Sequence, residues 1–285
     1  GAVGLPPYNF GIVENKGFEM ELGWNSTIGK VNYYLKGIYA FNRNKVIEKS
    51  EAAKPYPYMY EAGLPIKQFI GYQYDGFFSS YDEIASSPQQ FGLTNLKPGD
   101  IKYKDINGDG IVDENDQAPI GYSTVPEMTY SLQLGASYKG FDVSVMFQGA
   151  ARSSVYLYQD LGWDNMTGNY YEEHINRWTP ETAATATYPR FLQGSKESHQ
   201  NYYLSDFWLK DGKYLRLKNV MISYTFDKKM LRKTPFSSLK IFASGFNLIT
   251  WDKLKKVDPE VAPSSNTGYF YPQQRQYNMG INVSF

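Results

Sequence analysis

The sequence predicts an all-β chain of antiparallel strands, and three observations carry that reading. Short stretches alternate strictly between apolar and polar side chains, the connections between them switch regularly from short to long, and aromatic residues reach 17% against 20% charged. A period of two puts successive side chains on opposite faces of an extended backbone. The 26 Tyr, 17 Phe and 5 Trp residues suit a surface with lipid on one side and water on the other, because Tyr and Trp join an apolar body to a polar tip.

The first strand is expected near 16–25, where Phe18, Met20, Leu22 and Trp24 alternate with Glu19, Glu21, Gly23 and Asn25. After a short connection at 26–30, a second strand near 31–43 carries Val31, Tyr33, Leu35, Tyr39 and Phe41 on one face. Across the long stretch 44–127, Tyr130, Leu132, Leu134, Ala136 and Tyr138 mark a strand at 129–138. Lys139-Gly140 turns the chain into a strand at 141–150, with Phe141, Val143, Val145 and Phe147 in its apolar row, so these two form a tight hairpin. The stretch 152–213 is again long. In 214–226, Leu215 and Leu217 lie on one parity while Val220, Ile222, Tyr224 and Phe226 lie on the other; the switch near Lys218-Asn219 reads as a bulge or a change of surroundings. A connection at 227–237 leads to a mixed strand at 238–249, then a long stretch 250–275. The chain closes on 276–285, where Tyr277, Met279, Ile281, Val283 and Phe285 alternate with Asn278, Gly280, Asn282 and Ser284.

Seven such strands read as part of a transmembrane antiparallel β-barrel. Long loops are uncommon in compact domains, whereas outer-membrane barrels alternate short periplasmic turns with long extracellular loops and apolar-out with polar-in side chains. A soluble β-sandwich also alternates, but nothing in it requires every long connection to fall on one side. With Phe285 at the periplasmic end, the connections 26–30, 139–140 and 227–237 are expected there too, and the loops 44–127, 152–213 and 250–275 outside the cell. A sheet in lipid cannot leave its edges unpaired, and bacterial single-chain barrels have an even strand number. The seven strands are therefore expected to be a portion of a larger barrel.

Composition excludes several other classes. With 29 basic and 29 acidic residues the chain lacks the positive surface that nucleic acid requires. It has no apolar run long enough for a transmembrane helix. The absence of Cys and the presence of only His174 and His199 remove disulfides, thiol catalysis and Cys-based zinc sites. Gly1-Ala2-Val3-Gly4 is not a secretory signal, so the chain is expected to be either cytoplasmic or a mature or internal piece of something longer. No catalytic motif is present, and no carboxylate pair is placed at glycosidase separation; no enzyme is expected.

Five blocks of sequence carry a family resemblance: Val13-Glu14-Asn15-Lys16-Gly17-Phe18-Glu19; Ile70-Gly71-Tyr72-Gln73-Tyr74-Asp75-Gly76-Phe77-Phe78; the run from Pro98 to Gly110; Tyr214-Leu215-Arg216-Leu217-Lys218-Asn219-Val220; and Gly245-Phe246-Asn247-Leu248 with Trp251 and Asp258-Pro259-Glu260. In this order they resemble the carboxy-terminal third of a SusC/RagA-type TonB-dependent outer-membrane transporter of Bacteroidetes. The resemblance implies a plugged barrel of roughly 22 strands, of which this chain supplies about the last seven. It also implies import of oligosaccharides or peptides, energised by TonB through an amino-terminal part, and a SusD-like lipoprotein as partner. The plug and TonB box have no counterpart in this chain. From another class, the rival is a secreted, calcium-stabilised β-sandwich for carbohydrate binding or adhesion.

Three constellations are candidates for chemistry. Counting from Asp105, oxygen donors Asp105, Asn107, Asp109 and Asp113 fall at positions 1, 3, 5 and 9, with Gly110 at 6, the Ile111 carbonyl at 7 and Asp116 at 12. That spacing suits a structural calcium ion, although Asp116 is one methylene shorter than the usual Glu; the alternative is an Asx- and Gly-rich turn. Trp163, Tyr170, Tyr171 and Trp178 in the second long loop, and Trp251 and Tyr269 in the third, could stack on substrate, form an interfacial girdle or pack the loops. Gln133, Asp142, Gln148 and Asn278 face the expected lumen. Finally, the unbroken row Tyr277, Met279, Ile281, Val283 and Phe285 looks like a barrel-assembly signal.

Overall fold

Alternating side chains line up across the chain as one seven-stranded antiparallel sheet in the computed structural model, which describes residues 10–158, 162–164, 170–192, 199–254, 257–260 and 273–285. The strands are β1 (Ile12–Ile28), β2 (Val31–Glu48), β3 (Met128–Tyr138), β4 (Phe141–Ala151), β5 (Tyr214–Thr225), β6 (Ser238–Asp252) and β7 (Gln276–Ser284), each paired with its neighbour in chain order. Backbone pairing outlasts the alternation in the sequence: β1 starts at Ile12, β2 runs to Glu48 and β6 to Asp252. A strand needs about 9–11 residues to cross a bilayer, so β1 and β2, with 17 and 18, are long enough to continue beyond it. Gly29-Lys30 alone connects β1 to β2. In the β3–β4 turn Lys139 and Gly140 have φ of 47° and 89°, the left-handed pair whose twist matches the strands it joins.

The register puts one apolar row on one face through all seven strands. Trp24 lies opposite Leu35, Leu35 opposite Leu134, Leu134 opposite Val145 and Val145 opposite Val220. Beyond β5, Ile222 faces Ala243 and Ala243 faces Met279. The parity switch in β5 is a bulge: Lys218 is skipped in the pairing of β5 with both neighbours, and Asn247-Leu248 are skipped on β6. Asn247 takes a φ of 52°. This paired irregularity returns Leu215, Leu217, Ile249 and Trp251 to the same row as Val220, Ile222 and Ile241. Glycines opposite large rings let the sheet close up. A Cβ on Gly149 would come within 2.3 Å of the Tyr130 ring, and one on Gly280 within 2.3 Å of Phe242.

The sandwich alternative needs a second sheet over this row. Instead Trp24 is 63% exposed and Met279 89%. On β3 and β4, aliphatic side chains occupy the middle of the row and rings its ends. On β3, Tyr138 and Tyr130 bracket Leu132, Leu134 and Ala136; on β4, Phe141 and Phe147 bracket Val143 and Val145. At the short-turn end the Phe141 and Tyr224 rings pack tilted with centroids 4.5 Å apart, and at the loop end Phe18 packs on Tyr39 and Phe41.

The buried core lies outside the sheet, in the two long connections after β2 and β4. Short paired segments knit each connection to itself: Phe69–Gly71 with Ala118–Ile120, Tyr74–Phe77 with Ile101–Tyr103, and Ser154–Tyr156 with Leu209–Asp211. Tyr72, Ile101, Tyr103 and Val112 from the first then pack with Trp163, Tyr188, Tyr202 and Trp208 from the second.

Candidate functional site

Two features stand where the wall meets the loops: a platform built from both long connections, and a charged cluster on the polar face of β5. The platform is locked by polar groups as well as rings. Asp100, fully buried, accepts from Asn201 Nδ2 at 2.9 Å and from the Lys97 backbone N–H at 2.8 Å, and is ion-paired with Arg190 at 2.7 Å. Asn201 Oδ1 accepts from the Ile101 N–H, and the Tyr103 hydroxyl donates to the Gln200 carbonyl at 2.6 Å. The Tyr188 and Tyr202 hydroxyls both donate to Asp164. Burial, with Asp164 close by, raises both phenols far above the ordinary range, so they remain donors at any physiological pH. Burial also lowers the His199 imidazole, against the opposing pull of Asp100.

The charged cluster joins two of the blocks that carry the family resemblance. Arg216, 2% exposed, donates through Nε to Thr250 Oγ1 at 2.9 Å and through Nη2 to Asp258 Oδ1 at 2.7 Å. Lys218 Nζ reaches Glu260 Oε2 at 2.7 Å, and Arg216 Nη1 lies 3.4 Å from Glu260 Oε1. Asp258 further accepts from the backbone N–H groups of Glu260 and Gln273, so it ties together both described limbs of the third connection. Sequence reading found both motifs but not their partnership, which a separation of 42 residues conceals.

Sequence-predicted sites fare unevenly. Around 105–116 the carboxylates turn toward the backbone: Asp105 accepts from the N–H groups of Gly108 and Gly110 at 2.6 and 2.7 Å, and Asp109 from Ile111 at 2.8 Å. Buried Asp116 takes the N–H groups of Ile106, Asn107 and Asp113. It therefore clasps the two ends of the loop together. Asp113 caps the short helical turn Glu114–Asp116 through the Asn115 N–H. Among the described residues no three His, Cys, Asp or Glu side chains converge on a metal position.

The aromatic candidates are dispersed. Trp163 is corrected from a substrate contact to a core residue: it is 2% exposed between Tyr158 and Tyr202. The Trp178 ring lies close over Gly99, and its backbone N–H donates to the Tyr188 carbonyl. Tyr171 packs on His174, whereas Tyr170 is 56% exposed beside Phe191. Trp251 belongs to β6 and not to the third loop, because the Asn247-Leu248 bulge carries the strand on and aims the ring into the apolar row beside Phe147. Tyr269 lies outside the described residues. In β7, Tyr277, Met279, Ile281 and Val283 share the face of the apolar row, and the Phe285 ring sits 5.5 Å from Phe236.

Comparison with known proteins agrees with the resemblance read from the sequence. No protein-family model matches the chain. Over 97% of its length it is 27% and 26% identical to two TonB-dependent receptors of Formosa agariphila, and 23% identical to the TonB-dependent receptor SusC of Bacteroides thetaiotaomicron. It spans only 30%, 29% and 27% of those proteins. Its fold matches 97% of its residues to a solved structure titled as the RagAB peptide transporter, with a TM-score of 0.72 at 21% identity, and covers 30% of that chain. The relatives are receptors and a transporter, not enzymes.

Proposed function

We propose, from this kinship to TonB-dependent receptors, that the seven strands form part of the wall of an outer-membrane barrel that imports oligosaccharides or peptides under TonB control. The observation that carries the proposal is the apolar row continued by register through all seven strands, and bracketed by rings on β3 and β4, which is the surface an outer-membrane barrel turns to lipid. Because β1 and β7 are the edges of this sheet and lipid offers no hydrogen bonds to an edge, both pair with further strands of the same barrel around a plug. TonB engages a part of the protein beyond these strands.

On the loop side, the rigid platform faces outward as the seat for a SusD-like lipoprotein, and the Arg216–Asp258 cluster fixes the third loop over the lumen. The β7 row, ending at Phe285, serves as the assembly signal. Calcium at the 105–116 loop is proposed as a structural ion with Asp105, Asn107, Asp109, the Ile111 carbonyl, Asp113 and Asp116 as its donors; Gly108 and Gly110, at φ of 77° and 88°, supply the tight turns such a loop needs. Equal protease resistance of this loop in calcium and in chelator would rule the ion out.

The test of the main proposal is fractionation and uptake. The native protein should pellet with the outer membrane, migrate faster unheated than heated in detergent gels, and be needed for growth on an oligosaccharide or peptide mixture. A soluble, monodisperse protein without detergent would defeat the proposal.

A further inference from the structure

The two ends of the sheet treat their cations differently. Toward the loops, Arg43 and Arg152 share Glu127, Arg190 holds Asp100 and Arg216 holds Asp258, at separations from 2.7 to 3.3 Å. At the short-turn end the β5–β6 connection presents Lys228, Lys229, Arg232 and Lys233, all exposed. Among the described residues none of the four makes an ion pair. Asp227 is the single acid between 227 and 233, and its carboxylate accepts from the Lys229 N–H. Four cations against one anion leave a net charge of +3 on seven residues. The other two turns of this end add exposed Lys30 and Lys139, the latter 5.2 Å over the Tyr138 ring.

This connection is built into the sheet and does not hang from it. Leu231 is buried, the Ser237 N–H donates to the Ser284 carbonyl at 2.8 Å, and Phe236 packs on Phe285. Met230, 59% exposed, lies 3.8 Å by its sulfur from the Tyr224 hydroxyl, so the turn's apolar side chain adjoins the ring belt of Phe141 and Tyr224. Cations with long aliphatic stems beyond a belt of rings, continuous with an apolar face, are arranged as a membrane-water interface arranges them. Unmatched positive charge at that depth attracts anionic headgroups and distinguishes them from zwitterionic ones.

We infer that the short-turn end, centred on Lys228, Lys229, Arg232 and Lys233, is a docking surface for anionic phospholipid headgroups of the leaflet it faces. The inference rests on the membrane reading above. Its test uses the native protein in nanodiscs of phosphatidylethanolamine with or without phosphatidylglycerol, with retained phosphatidylglycerol measured by native mass spectrometry and binding by titration. Replacing Lys228, Lys229, Arg232 and Lys233 together with Gln should weaken phosphatidylglycerol binding by at least about tenfold, since each basic group near an anionic surface contributes a factor of about five. The charge-preserving set Lys228→Arg, Lys229→Arg and Lys233→Arg should bind as the native protein does, and both variants should keep heat-modifiable migration.

Unchanged binding by the Gln variant would overturn the inference. So would equal retention of phosphatidylethanolamine, loss in the Arg variant, or full competition by inorganic phosphate, which would mark a soluble-anion site. A protein absent from the outer membrane would instead defeat the import proposal, a result read from fractionation and not from the nanodiscs.

Discussion

The wall and the loop platform place the same kinds of side chain in opposite surroundings. Trp24, Met279 and Phe141 on the wall are 63%, 89% and 56% exposed, while Trp163, Trp208 and Tyr103 in the platform are each 2% exposed. Burying an aromatic side chain removes 150–250 Å² from water, so the platform has the core of a protein that folds in water. A wall that leaves such groups outward fits the lipid contact proposed for it. Under that proposal the platform is water-facing structure on a lipid-facing base.

The comparison can be broken most strongly inside the platform. Asp100→Ala leaves the Arg190 guanidinium without its buried partner, a change expected to cost about 3–5 kcal/mol. Limited proteolysis should then cut the long connections readily while the wall stays heat-modifiable. Unchanged cleavage would show that the platform does not depend on that pair. The wall should fail differently: Leu134→Arg, mid-row, is expected to lose about 2–4 kcal/mol in a bilayer, whereas Gln133→Arg on the polar face should be near neutral. Folded fraction in vesicles checks both, and equal tolerance would remove the distinction between the faces. Gly280→Val tests the close approach of Phe242 and should cost about 1–3 kcal/mol through overpacking, seen as a lower midpoint of urea unfolding from vesicles.

The smallest effect concerns pH. Glu83, bonded to the Ser79 hydroxyl and N–H and to Lys102, is held down to about 2. Its folded value lies below the ordinary carboxylate value of about 4.3, so its contribution is complete above that pH and fades as pH falls toward about 2. The protection of the amides in the helix Tyr81–Ser86, measured as the exchange rate relative to that of an unstructured peptide at the same pH, should fall over that window and remain flat above it.

How much the sequence disclosed follows the same division. The wall was legible because each of its faces meets one kind of solvent, and period two records that directly. Its bulge showed only as a parity switch between Leu217 and Val220, since the compensating Asn247-Leu248 lies on a partner strand. The platform was not legible, because its contacts join residues about a hundred positions apart, as in Asp100 with Asn201 and Tyr103 with Gln200. In aperiodic sequence a buried Trp163 and an exposed Tyr170 look alike. Donor spacing in 105–116 matched a calcium loop, yet spacing does not reveal that Asp116 turns toward three backbone amides.

The central claim is that odd-numbered residues of β4 face lipid and even-numbered ones face a wet interior. This chain has no Cys, so single cysteines at Val143, Ser144, Val145 and Gln148 can be spin-labelled without interference from it. In the native protein within a bilayer, labels at 143 and 145 should be relaxed by oxygen dissolved in lipid, and those at 144 and 148 by a water-soluble nickel chelate. Loss of that alternation, with all four sites equally open to the chelate, would contradict the account.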